Sequence, residues 1–394
     1  MDDFDFAGKV VLVRADLNSP VDEKTKKIEV SGRLVAHAAT VKELAGKQAK
    51  VVVLAHQGRK GDYDFIPLEQ HAKILSEKAG LTVKFVPDVA GEKAKAAVRA
   101  MKPGEVVLLD NVRFLDDETT GEPRNSTIVR ELAPLADFFV LDALSVAHRA
   151  QASVVGFAGK LPVLAGRVME QELNALRQME KPEPPVVFIL GGAKPEDSLP
   201  VIEYWVAQKK LLKALTCGVL GSLFLVASGR DVGKPTREFL ESKGVMKDLE
   251  RAKKLLKENP HIVEIPRDVA FERNGKREEC PVASLPVDAQ IKDIGLATSK
   301  RYLEFVRDAG TILMNGPAGV YEDERFEDGT RFLLRGVEHS KAFSLLGGGH
   351  TLSALDKFGI DKKSLGYVSL SGKALIEFLS GAKLPGIEML AKGN

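Results

Sequence analysis

VVLVRADL, residues 10–17, is an apolar run of Val and Leu with no apolar/polar alternation that breaks off into Arg14, Asp16 and the polar residues after them. A strand that reads this way is covered on both faces, which is the condition of a parallel sheet. The pattern repeats outward from it in AKVVVLAH near 49, TVKFVPD near 82, VVLLDNV near 106 and FFVLDAL near 138. Between these runs lie stretches of helix formers such as SGRLVAHAATVKELAGK (31–47) and EKAKAAVRAM (92–101), long enough to serve as crossovers. A second series begins at PPVVFILGG (184–192) and continues through KALTCGVLG, NPHIVEIP, GTILMNG, SKAFSLLGGG and SLGYVSL. The expected fold is therefore α/β, with two doubly wound, Rossmann-like domains of parallel sheet. The amphipathic stretch GRVMEQELNALRQMEKPEPP joins the series and reads as a connecting helix stopped by prolines. The domain boundary is drawn within it, near residue 167, giving 1–167 and 168–379, with the short segment 380–394 packed back on the first domain.

The length of 394 residues fits two domains. Lysine plus arginine number 57 against 55 acidic residues, a net charge of +2, which excludes a general nucleic-acid coat or an acidic-membrane anchor. Cys217 and Cys280 form neither a disulfide framework nor a zinc spacing, and a reducing, cytoplasmic setting is expected. The acidic N-terminus does not read as a signal peptide, and the longest uncharged run, Ala214 to Gly229, is too short to span a bilayer.

Ligands of open parallel sheets sit at the carboxyl ends of the strands. In the first half those ends carry Asp16, Asn18, His56, Arg59, Arg113, His148 and Arg149, with Arg33 just beyond the first turn. Guanidinium forks match carboxylate and phosphate oxygens, so a small, multiply anionic ligand is expected there. The second half offers glycine turns instead: LGGAK (Gly191, Gly192, Lys194), CGVLG (Gly218, Gly221), NGPAG (Gly316, Gly319) and LGGGHT (Gly347, Gly348, Gly349). Glycine after a strand lets backbone N–H groups and a helix N-terminus approach phosphate, so nucleotide is the expected ligand. Neither GxxxxGK[ST] nor GxGxxG occurs. Each glycine alone reads as a tight turn, and each histidine alone as a structural one. Their shared position at strand ends is what points to ligand.

Nine collinear stretches, VLVRADLNSP, VVVLAHQGR, VVLLDNVRF, VAHRAQAS, AGRVMEQEL, FILGGAKPEDS, NGPAGVYE, LLGGGHT and KLPGIEML, resemble the phosphoglycerate kinase family over almost the whole chain. The resemblance implies reversible phosphoryl transfer between 1,3-bisphosphoglycerate with ADP and 3-phosphoglycerate with ATP, using Mg2+, in a cytoplasmic monomer. It also implies an N-terminal triose domain and a C-terminal nucleotide domain joined by a hinge helix. Carried over by motif, the triose site is Asp16, Leu17, Asn18, Arg33, His56, Gln57, Gly58, Arg59, Arg113 and Arg149. The nucleotide site is Gly192, Lys194, Gly218, Asn315, Pro317, Gly319, Val320, Glu322, Gly348, Gly349, His350 and Thr351, with Glu322 on the ribose hydroxyls. Arg33 and Lys194 are the expected catalytic cations, one from each domain, which implies closure about the hinge. No metal ligand is assigned, and neither nucleic acid nor membrane is an expected partner.

Three positions depart from the family pattern. Ser198 stands where a second lysine is common, His350 replaces an aspartate in the GGG-D turn, and Lys373 occupies a usual glycine position in SLSGKA. The GGAKPED and GGGH stretches resemble the archaeal branch. Lys373 either replaces the charge missing at Ser198 or is an ordinary solvent-facing lysine. Competing readings are a kinase for another small carboxylate, a nonenzymatic nucleotide-binding regulator, and a dinucleotide dehydrogenase, the last disfavoured by the missing GxGxxG.

Overall fold

The five apolar runs of the first half of the computed structural model become β1 (Val10–Arg14), β2 (Lys50–Leu54), β3 (Val83–Val86), β4 (Val106–Leu109) and β5 (Phe138–Leu141), and a three-residue strand not expected from the sequence, β6 (Val163–Ala165), is added. They form one sheet in the order β3-β4-β2-β1-β5-β6, parallel throughout. The helix Gly32–Gly46 covers it, capped where Ser31 accepts a hydrogen bond from the Leu34 N–H at 3.2 Å. Its Leu34, Val41 and Leu44 join Val11, Val13, Val51 and Val53 in the core, which leaves no polar face on those strands.

The second series gives β7 (Val186–Leu190), β8 (Lys213–Thr216) and β9 (Val263–Glu264). A small antiparallel sheet follows, built from β10 (Asp268–Arg273), β11 (Lys276–Pro281) and β12 (Ile291–Ile294). The series then resumes with β13 (Thr311–Asn315), β14 (Phe343–Gly347) and β15 (Tyr367–Val368). The second large sheet runs β15-β14-β13-β7-β8-β9, again parallel. Counted within the unit as strands one to six, that is the Rossmann order 3-2-1-4-5-6. The two doubly wound α/β domains expected from the runs are present. The antiparallel insert was not expected, because β11, KREECP, is charged and divides between half-buried and exposed residues, without an apolar face to read.

The structure describes residues 1–392; Gly393 and Asn394, the end of the segment assigned to the first domain, lie outside the described residues. The chain divides into Met1–Asn174 with Lys383–Asn394, and Ala175–Ala382. The first division falls inside the helix Arg167–Glu180, further along than residue 167, because the start of that helix is tied into the first unit. Asp142 Oδ1 accepts from the Val168 N–H at 2.9 Å, Thr40 Oγ1 accepts from the Arg167 N–H at 3.1 Å, and Glu43 receives the Arg167 guanidinium through two 2.7 Å bonds. The C-terminal helix Pro385–Lys392 belongs to the first unit as well, where the Gly386 N–H donates to the Ala147 carbonyl at 2.9 Å.

Candidate active site

In the first unit the strand order reverses between β1 and β5, the position at which open sheets leave a crevice. Asp16 follows β1 and is buried. Its Oδ2 lies 3.0 Å from Arg33 Nη1 and accepts from Ser145 Oγ at 2.5 Å, while its Oδ1 accepts from the Asn18 N–H at 3.1 Å. Burial pushes this carboxyl up, but the Arg33 guanidinium and the Ser145 hydroxyl outweigh burial and hold it below the usual carboxylate range. Asn18 Oδ1 in turn accepts from the Gly58 N–H at 2.9 Å, which ties the loop after β1 to the turn after β2.

Arg113, after β4, donates to the Gly58 carbonyl. Burial lowers its pKa to about 10, reinforced by the nearby guanidiniums of Arg149, Arg14 and Arg59. Crowding of this kind costs free energy unless an anion occupies the middle. Arg149 bonds His148 at 3.0 Å, and Arg59 is exposed on the Gly58 turn. The edge read from the sequence therefore assembles Asp16, Asn18, Arg33, His56, Gly58, Arg59, Arg113 and Arg149. Leu17 and Gln57 bring no side chain to it. Leu17 is wholly buried, and Gln57 is spent on the scaffold, accepting from the Ser19 N–H at 2.9 Å and donating to the Ser19 carbonyl at 3.0 Å. Ser145 and Arg14 escaped the sequence reading: a serine carries no signal, and Arg14 looked like the end of a strand.

In the second unit the reversal lies between β7 and β13. The turns that follow these strands are laced together, with the Gly191 N–H donating to the Asn315 carbonyl at 3.0 Å and the Gly192 N–H to the Pro317 carbonyl at 2.8 Å. The turn after β8 joins them where the Gly218 N–H donates to the Ala318 carbonyl at 2.8 Å. Gly218 has φ +56°, and a Cβ there would stand 2.9 Å from the Gly192 nitrogen, so no other residue fits without displacing backbone. These turns border a cavity lined by Gly192, Gly218, Pro317 and Gly319. Leu225, Phe239 and Val269 supply apolar lining, while Glu322 and His350 stand at the polar side, 3.4 Å apart and both exposed.

Val320 is partly exposed beside this cavity, and its N–H donates to the Lys292 carbonyl at 2.8 Å. Gly348 precedes the helix Gly349–Lys357, so Gly349 and His350 form its first turn, where free N–H groups favour anions. Thr351 is buried, with its Oγ1 accepting from the Gly316 N–H at 2.9 Å, and so braces the NGPAG turn from behind. Lys194 is exposed at the head of the helix Pro195–Ala207.

Among the departures from the family pattern, Ser198 is buried, its hydroxyl without a hydrogen-bond partner among the described residues, and Lys373 is exposed, 3.6 Å from Glu377. Burial raises the carboxyl of Asp197, and both Lys194 and Lys373 oppose that rise, so the two lysines act on one carboxylate. No cluster of three or more His, Cys, Asp or Glu residues that could hold a metal exists among the described residues.

Comparison with known proteins gives a consistent result. The family model described as phosphoglycerate kinase matches residues 1–382. A phosphoglycerate kinase of Methanopyrus kandleri is 45% identical, over 99% of this chain and 96% of that protein. One of Sulfurisphaera tokodaii is 43% identical, over 99% of this chain and 95% of that protein. The crystal structure of phosphoglycerate kinase from Pyrococcus horikoshii OT3 superposes with a TM-score of 0.93 at 35% identity, covering 100% of this chain and 98% of that one.

Proposed function

The chain belongs to the phosphoglycerate kinase family and catalyses reversible phosphoryl transfer between 1,3-bisphosphoglycerate with ADP and 3-phosphoglycerate with ATP; from that premise we propose which residues perform it. The arginine-bearing crevice between β1 and β5 takes the triose. Arg59, Arg113 and Arg149 receive its phosphate, and Asp16 and Asn18 orient its hydroxyl. The glycine cradle between β7 and β13 takes the nucleotide, with Glu322 on the ribose hydroxyls and Lys194 on the phosphoryl group in transit. The crowding of guanidiniums around Arg113 is the observation that carries the assignment, since it makes an anion the natural occupant.

In the ATP-consuming direction the nucleophile is a carboxylate with a pKa of about 3.5, ionised at neutral pH without a general base. One of its oxygens forms a bond to the γ-phosphorus as the bond to the ADP oxygen breaks, and ADP departs with that electron pair. The protein's tasks are alignment, exclusion of water and positive charge around the three equatorial oxygens. Arg33 supplies that charge from the first domain and Lys194 from the second, so the productive arrangement needs closure about the helix Arg167–Glu180. With the carboxylate cluster of a metal cage missing among the described residues, Mg2+ fits this chain as an ion carried by ATP phosphates and water. Bound in that way it screens phosphate charge. The protein is proposed to work as a cytoplasmic monomer. Its two cysteines are free, and no helix among the described residues is long and apolar enough to cross a membrane.

Testing the acceptor assignment takes saturation kinetics with 3-phosphoglycerate for Arg113→Ala and Arg149→Ala. The expected result is a rise in KM of tenfold or more for each, on the order of the 1.5–3 kcal/mol of a charge-assisted bond. Unchanged KM in both would remove the triose from this crevice.

A further inference from the structure

Arg14 is the last residue of β1 and has no exposed surface, an unusual place for a guanidinium. Its hydrogen bonds run in one direction. The Glu118 carboxylate, itself buried, accepts from Ser153 Oγ at 2.6 Å and from the Ser153 N–H at 2.9 Å. Ser153 Oγ accepts from Arg14 Nε at 2.9 Å. Arg14 also donates to the Ala15 carbonyl through Nη1, and its Nη2 lies 3.1 Å from His56 Nδ1. A guanidinium has donors only, so whatever Arg14 bonds to must accept from it. His56 Nδ1 must accept. The single proton of the neutral imidazole then sits on Nε2.

We propose that Arg14 is a positioning residue that locks His56 as the neutral Nε2–H tautomer, presenting the triose crevice with a fixed hydrogen-bond donor instead of a titrating cation. The ligand it suits is an anionic oxygen of carboxylate or phosphate. The inference rests on the acceptor-site reading above and deepens it.

A second proton on His56 would have to enter at Nδ1, against the guanidinium. The charged groups facing the ring are Arg14 on β1, Asp16 after β1, Arg113 after β4 and Arg149 after β5. Asp16 alone favours the cation. Burial first, and then Arg14, push the imidazole well below its ordinary range, and Arg113 and Arg149 add to them. The neutral ring keeps the crevice from carrying one more positive charge, while its Nε2–H still meets an oxygen. Glu118 offsets the charge of Arg14 from the far side, through Ser153, without touching the crevice.

The test is nitrogen NMR on the full-length enzyme carrying labelled histidine. The chain has seven histidines, and the signals lost in His56→Gln are those of His56. The expected spectrum shows an unprotonated Nδ1 and a protonated Nε2, unchanged from about pH 8 to about pH 5, a span across which an ordinary histidine titrates. A protonated Nδ1, or a midpoint at about 6.5, overturns the lock. Adding 3-phosphoglycerate should shift the His56 signals without changing the tautomer. If the tautomer is as expected but the signals do not move, the lock stands and the acceptor-site reading fails.

Two variants add a kinetic readout. Arg14→Met removes the donor, so His56 should titrate and KM for 3-phosphoglycerate should rise about tenfold and become pH-dependent, with kcat changing less. Arg14→Lys keeps a donor-only cation and should recover part of the loss. A folded Arg14→Met enzyme with a wild-type, pH-independent KM overturns the proposal. If that variant does not fold, the wild-type tautomer alone decides.

Discussion

Arg33 Nη1 stands 3.0 Å from Asp16 Oδ2, so the arginine of the first unit is aimed by a buried carboxylate that is itself fixed by Ser145 and the Asn18 N–H. Arg33 opens the helix Gly32–Gly46, a third of its side chain is exposed, and Asp16 is the partner that sets its direction. A cation held this way needs little reorganisation when charge builds on a transferring phosphoryl group.

Arg33→Ala should therefore lower kcat by roughly a hundredfold to a thousandfold, the range for removing one preorganised transition-state donor, and raise KM much less. Steady-state kinetics with both substrates varied checks this. An unchanged kcat removes Arg33 from the transfer step.

The same pair makes a pH prediction. The folded-state pKa of Asp16 is depressed, so its contribution to stability is present above the unfolded value of ~3.9 and is lost as pH falls through the folded value. Asp16→Asn should cost about 1–2 kcal/mol at neutral pH, and its deficit against wild type should shrink as the pH drops below about 4. Urea unfolding midpoints for the two proteins across that range measure the effect.

Gly218→Ala probes the other unit. The added Cβ meets the Gly192 nitrogen at 2.9 Å in a backbone of positive φ, so the turns after β7 and β8 must separate. Calorimetric titration should show ADP binding weakened by about tenfold or more, with 3-phosphoglycerate binding to the first unit unaffected.

Lys373 tests whether one lysine has taken over another's charge. Ser198 is buried, whereas Lys373 is exposed and acts with Lys194 on Asp197. Lys373→Ala should lower kcat by about fivefold, the ~1 kcal/mol of an exposed charge on a phosphate. A variant with wild-type kcat leaves Lys373 as a partner of Glu377 alone.

What could be read from the chain followed from the physics of each element. Runs such as VVVL at Val51–Leu54 have to be buried on both faces, so the parallel sheets and the strand-end residues were visible in one dimension. The strand β6 has three residues and gives no period, and the antiparallel β11 is charged because little of it is covered. Hydrogen-bond direction is a property of three dimensions. Nothing in the sequence connects Glu118 to Ser153 to Arg14, residues separated by up to 139 positions. The boundary near 167 missed the ties from Thr40, Glu43 and Asp142, because contacts distant in sequence decide to which unit the start of a helix belongs.

The most direct measurement is ATP-dependent acyl-phosphate formation from 3-phosphoglycerate with Mg2+, coupled to a dehydrogenase that consumes the product, in wild type and Lys194→Ala. Wild type should turn over, and the variant should lose about a hundredfold or more while still binding ADP. Wild-type turnover that survives undiminished in Lys194→Ala would contradict a phosphoryl transfer stabilised by one cation from each domain.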